Sequence, residues 1–254
     1  MQTKGTDEMK ALILAAGRGT RISRYLGGDP KCTVNIGGTT LIRYTVELLQ
    51  SFGITEIGIV LGYRGHTVKD ALSGYNVQFF ENPFFDVTNS IASAWFSREF
   101  LADDDVLIMN GDVYLDREML PLILSSTPDR SPLLFADGSR REEADYKFFW
   151  QDGILLKYGK ELEGDDITGE YIGVARLDRA FLPRFLDKLQ SMIREQKHNV
   201  WWENVLYELS HESAVYVNET DGKFWAEVDY VEDYERILAH RGYSLSEILP
   251  NVKR

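Results

Sequence analysis

Residues 10–31 read KALILAAGRGTRISRYLGGDPK. Ala11 to Ala15 form an apolar run that predicts a buried strand. The run opens into a loop of Ala16, Gly17, Arg18, Gly19, Thr20 and Arg21, and Pro30-Lys31 follows downstream. Small residues leave backbone N–H groups uncovered, and such groups bind anions. Arg21 and Lys31 add positive charge. The stretch predicts a strand that carries its backbone to a phosphorylated ligand. No Gly-Lys-Ser/Thr follows at Walker A spacing, and the third position of a dinucleotide fingerprint is Ile22 rather than glycine.

Outward from this stretch, the chain alternates. Thr40–Phe52 carries Leu41, Ile42, Val46, Leu48 and Leu49 at helical spacing. Predicted strands follow at Glu56–Leu61, Val77–Phe80 and Val106–Met109, with helices at Thr67–Leu72 and Ser90–Phe100. Strand–helix alternation predicts parallel βαβ units, with the ligand at the carboxyl ends of the strands. After Pro128 the expected elements are strands at 132–135, 146–151, 154–157, 171–177, 214–217 and 224–228. Helices are expected at Asp178–Gln196, Trp202–Ser210 and Val231–His240. The short turns there, including Asp152-Gly153, predict antiparallel pairing. The expected fold is α/β: a Rossmann-like mixed, mostly parallel sheet flanked by helices, with a more antiparallel C-terminal portion on the substrate side. Residues 9–254 are expected to form one domain, after a disordered extension at 1–8.

The 254 residues are 44% hydrophobic and 27% charged, with a formal charge of -12. An acidic surface repels nucleic acid and anionic membrane, so neither is an expected partner. One cysteine, Cys32, permits no intrachain disulfide. With no apolar leader at the start and no membrane-length run, the expectation is a cytoplasmic protein. Cys32 reads as a small, half-buried side chain rather than a reactive thiol. A homodimer is compatible with the sequence. His66, His198, His211 and His240 have no metal-ligand spacing and read as surface residues. Asp103, Asp104 and Asp105 read as a solvated turn.

The motif LAAGRGTRI…PK resembles the signature of nucleotidyltransferases that activate phosphorylated small molecules: the sugar-phosphate nucleotidyltransferases and their cytidylyltransferase relatives. The resemblance implies that Leu14, Ala15, Ala16, Gly17 and Gly19 bind the nucleotide. It also implies that Arg21 and Lys31 neutralise its phosphates. Asn110-Gly111-Asp112 ends the fourth predicted strand, and Asp229 follows Phe224–Val228. Strand-end carboxylates from distant segments suit Mg²⁺, which takes oxygen ligands and bridges phosphates. In the family, such aspartates hold that ion, which marks Asp112 and Asp229 as metal ligands and Asp112, Lys31 and Arg21 as the catalytic set. Glu227 shares a strand face with Asp229, and its role is open. Taken alone, Asp112 also reads as a turn or helix-cap aspartate.

Residues 82–95, NPFFDVTNSIASAW, resemble the base-side segment of the phosphocholine cytidylyltransferase branch, which includes 2-aminoethylphosphonate enzymes. That likeness makes Asn82 and Ser93 base-binding candidates, with Thr88 and Asn89 shaping the loop. Trp201-Trp202-Glu203 resembles the branch's substrate segment, and Tyr171 falls on a substrate-lining strand. Tyr171, Trp202 and Glu203 are therefore the expected acceptor contacts. Aromatic faces with a carboxylate suit an ammonium group, although both tryptophans also read as packing residues. The expected reaction couples CTP to a small amine-bearing phosphate or phosphonate with Mg²⁺ and releases pyrophosphate. One alternative is a sugar-1-phosphate or polyol-phosphate nucleotidyltransferase using another NTP. A second is a non-catalytic nucleotide-binding module.

Overall fold

The computed structural model describes residues 9–19, 21–22, 27–125 and 130–250. The extension expected at 1–8 lies outside these residues. Strand β1 (Met9–Ala15) has an all-buried second half and is an interior strand, third from one edge, of a nine-stranded sheet. Strand β2 (Ile57–Leu61) pairs with it in parallel on one side, and β3 (Gln78–Glu81) lies parallel to β2. On the other side β4 (Asp105–Asn110) is also parallel to β1. A strand buried on both faces reads as a continuous apolar run, which explains ALILA and IGIVL.

Beyond β4 the sheet changes character, as the sequence predicts. Strand β9 (Gly169–Leu177) runs antiparallel to β4 and to β6 (Leu133–Asp137). Strands β7 (Lys147–Gln151) and β8 (Ile154–Gly159) form a hairpin through Asp152-Gly153, both at positive φ. Strand β10 (Tyr216–Glu219) joins β6 to β8. The order is β3-β2-β1-β4-β9-β6-β10-β8-β7, with β7 also pairing to β9.

A strand absent from the sequence reading decides where the site forms. Strand β5 (Val113–Leu115) follows Asp112 and pairs antiparallel with β11 (Trp225–Glu227). Three residues carry too little periodicity to be recognised. Helices α1 (Leu41–Ser51), α2 (Gly65–Ala71) and α3 (Ser90–Phe96) follow the first three strands. Helix α4 (Met119–Leu124) and the terminal α8 (Leu245–Ile248) were not expected. Helix α5 (Leu182–Arg194) buries Leu182, Phe185, Leu189 and Met192, one apolar stripe. It starts four residues later than the sequence suggests because Pro183 belongs to its first turn. Helix α6 (Asn204–Ser210) starts two residues late, and α7 (Val231–His240) matches its expected bounds.

The aspartate run is not simply solvated. Asp103 is exposed, but Asp104 pairs with Lys10 at 3.0 Å and Asp105 accepts from the Arg179 N–H at 2.9 Å. Among the described residues, no helix is long and apolar enough to cross a membrane.

Candidate active site

A cavity of about 540 Å³ opens at the carboxyl ends of β1 and β4. One end is made of backbone. Leu14, Ala15, Ala16, Gly17 and Gly19 line it beside Arg21 and Lys31. Gly19 has φ +62°, and a Cβ there would collide with the Lys31 side chain. Glycine therefore lets the loop close over the lysine stem. Gly111 donates its N–H to Leu14 O at 2.9 Å, and a Cβ there would lie 2.8 Å from that oxygen. This close passage sets Asp112 beside the glycine loop.

The β5–β11 ladder completes the centre of the cavity. Glu227 faces Val113 in register, and Val228 N–H donates to Asp112 O at 2.9 Å. Asp112, Glu227 and Asp229 each offer a carboxylate oxygen within 4.8 Å of the others. Lys31 Nζ bonds Asp112 Oδ2 at 3.1 Å and also bonds Asp229 Oδ1. Arg21 Nη1 reaches Asp229 Oδ2 at 2.7 Å. Burial opposes charge on Lys31, but Asp112 and Asp229 outweigh it and hold its ammonium above its ordinary range. Burial, then Asp112 and Asp229, push the Glu227 carboxyl well above its ordinary value. Three clustered carboxylates form a hard, all-oxygen donor set, and the lysine ammonium already bridges two of them. The group is chemically suited to a divalent cation such as Mg²⁺.

Cys32 also lines the cavity wall. It is buried rather than half-buried, and burial pushes its thiol up to about 12, so it holds its proton.

The segment of residues 82–95 forms a flank of the cavity through Asn82, Phe85, Thr88, Asn89, Ser90 and Ser93. Asn82 is buried and organises the loop itself. Its Nδ2 donates to Ser93 Oγ at 3.1 Å and Thr88 Oγ1 at 3.2 Å, and its Oδ1 accepts from Phe84 N–H. Asn89 caps α3, accepting from Ser90 N–H at 2.7 Å.

The far end is made of side chains. Tyr171 and Glu203 line it as expected, but Trp202 does not. Trp202 is fully buried in the core, and its indole N–H donates to Asn110 Oδ1 at 3.0 Å. In the turn just before α6 it is Trp201 that takes the cavity side, at 41% exposure. Glu203 is 5% exposed and accepts a long bond, 3.4 Å, from Asn110 Nδ2. Burial raises its carboxyl to about 7.

Asp145, Tyr146, Lys160 and Tyr207 complete this wall and were missed in the sequence. Glu170 fixes the segment that brings Asp145 in, accepting from Asp145 N–H at 2.7 Å and Arg140 Nε at 2.5 Å. Lys160 pairs with Asp145 at 2.7 Å and lies 5.5 Å from the Trp201 ring centre. The one sequence signal was a lysine directly after the β8 turn glycine, Gly159.

Comparison with known proteins fits this geometry. The family model of the MobA-like NTP transferase domain matches residues 11–208. The chain belongs to that family. It is a nucleotidyltransferase by descent and by fold. It is 31% identical to a choline-phosphate cytidylyltransferase of Streptococcus pneumoniae, across 96% of this chain and 99% of the relative. It is 28% identical to a CTP:phosphoglutamine cytidylyltransferase of Campylobacter jejuni, across 89% of this chain and 98% of the relative. The solved CTP:phosphocholine cytidylyltransferase of S. pneumoniae superposes with a TM-score of 0.76 at 24% identity, covering 92% of this nucleotidyltransferase and 99% of that chain. The fold and family expected from the glycine loop are thus borne out.

Proposed function

We propose that this nucleotidyltransferase couples CTP, with Mg²⁺, to a small amine-bearing phosphate or phosphonate. An oxygen of the acceptor attacks the α-phosphorus of CTP. The bond from that phosphorus to the bridging oxygen breaks, and pyrophosphate leaves with the electron pair. The acceptor oxygen is already ionised, so no general base is required. Positioning and charge neutralisation carry the catalysis. The backbone of Ala15 to Gly19 cradles the triphosphate, while Lys31 and Arg21 neutralise it once released from Asp229. Asp112 and Asp229, with Glu227 beside them, would hold the ion. When bound, the ion neutralises phosphate oxygens and orients them. Asn82 and Ser93 shape the base pocket.

The observation that carries the reading is the charge layout of one cavity: cations and clustered carboxylates in the middle, and a separate buried carboxylate, Glu203, at the far end. Lys160 supplies a cation near that end for the acceptor's phosphate. The names of the relatives support CTP as the nucleotide.

The test is a pyrophosphate-release screen with Mg²⁺. It sets four NTPs against phosphocholine, 2-aminoethylphosphonate and several sugar phosphates. Turnover with CTP and an amine-bearing acceptor is expected. Turnover only with a sugar phosphate would overturn the reading.

A further inference from the structure

The far end of the cavity leaves two buried polar groups poorly served. Glu203, 5% exposed, accepts a long bond from Asn110 at 3.4 Å, and beyond that only its own backbone N–H and the Trp202 side chain favour its charged form by hydrogen bonding. Among the described residues the buried Tyr171 hydroxyl has no hydrogen-bond partner, and its residue is 6% exposed. Both residues line the cavity. Buried polar groups in native proteins are nearly always hydrogen-bonded, so an unpartnered hydroxyl and a weakly bonded carboxylate on one cavity wall point to a ligand that completes them.

The aromatic residues here do not form an open cage. Phe148 stacks on Tyr171, with ring centres 5.0 Å apart and planes 23° apart. Tyr207 stacks with Tyr158 at 4.2 Å and with Tyr146 at 5.7 Å. The Trp201 ring already carries the Lys160 ammonium. Recognition of a quaternary ammonium relies on free ring faces, and much of that surface is already engaged. Edges, hydroxyls and a carboxylate remain.

Resting on the amine-phosphate reading of this cavity, we propose that the acceptor carries an ammonium group with N–H donors, a primary amine rather than a trimethylammonium, and that Glu203 and Tyr171 select it. An N–H donated to each oxygen of Glu203 or to the Tyr171 phenol satisfies the groups that burial has stripped of water. Burial also biases the free Glu203 toward its protonated form, and a donating cation restores the carboxylate. A quaternary group has no N–H and leaves both groups unserved. Sites that hydrogen-bond a substrate group reject analogues lacking it far more strongly than apolar pockets reject a missing methylene.

The experiment uses the full chain with CTP and Mg²⁺ and a graded acceptor series: phosphoethanolamine and its N-methyl, N,N-dimethyl and N-trimethyl forms. We expect kcat/KM to fall along the series, with a total loss of about 100-fold or more. In Tyr171→Phe the fall should shrink by about ten-fold, because one hydrogen-bonding group is gone. Equal rates along the series, or a preference for the trimethyl form, would overturn the selection while leaving the amine-phosphate reading intact. Turnover with sugar phosphates and with no member of the series would overturn both. The series on the unaltered protein decides the matter even if Tyr171→Phe fails to fold.

Discussion

The two ends of the cavity are built from different materials. The glycine-loop end is backbone and small side chains from one contiguous loop, backed by strands β1 and β4. The far end is side chains from β9, α6, the β8 turn and the segment before β7, which meet only in the folded chain. Backbone donors bind any triphosphate in much the same way, so such a loop suits a shared chemical step. Side chains change one at a time, so the far end suits the choice of acceptor. Mutations at the two ends should therefore fail differently.

The largest effect is expected between the two ends. Asp112→Ala should lower kcat by about 10³-fold or more, since it removes a charge from the carboxylate cluster. Thermal unfolding should not weaken, because Glu227 and Asp229 lose a repulsive neighbour. Retained pyrophosphate release would refute the role. Lys31→Met should cost about 10²–10³-fold in kcat/KM for any acceptor, measured by the same assay. A loss specific to one acceptor would blur the division between the ends.

A smaller, pH-dependent effect belongs to the far end alone. The Glu203 carboxyl is raised by burial to about 7, with Asp112 adding to the rise. Asn110 and Trp202 oppose it, and Tyr146, Tyr171 and Tyr207 face it. Below that value Glu203 is protonated and attracts an ammonium less. The KM for an amine acceptor should therefore rise as pH falls through about 7, while the KM for CTP changes less. The folded state holds this proton more tightly than the unfolded chain. Stability in the absence of substrate should accordingly fall as pH rises from the ordinary carboxylate range toward 7. Steady-state kinetics and thermal melts at several pH values check both signs.

The smallest effect separates two adjacent tryptophans. Trp202→Phe removes a buried indole N–H from Asn110 and should cost about 1–3 kcal/mol in unfolding free energy. Trp201→Ala should cost less than that, because the residue is 41% exposed and packs on the cavity wall rather than in the core, and should act on the acceptor KM. Denaturant titrations of the two variants compare them directly.

The same division explains what was legible in the sequence. LAAGRG is contiguous, and its apolar run, glycines and charges each report on backbone geometry, so the β1 loop was readable together with Lys31. Asp112 was readable because it follows the end of a strand, two residues past Asn110. The partnership of Asp112 with Glu227 and Asp229 depends on the β5–β11 pairing, made by two three-residue strands too short to carry a pattern. At the far end, Asp145 sits in a charged run that looks like a solvated turn, and only the buried Glu170 shows why it is held at the cavity. Lys160 is marked in sequence only by the glycine before it, Gly159. Trp201 and Trp202 are chemically identical, and the side each takes is set by the start of α6, which the sequence reading misplaced by two residues.

The division of labour is tested most directly by Glu203→Gln, with KM measured separately for CTP and for an amine-bearing acceptor. The account predicts a rise of about ten-fold or more in the acceptor KM with the CTP KM unchanged. An equal rise in both would contradict it.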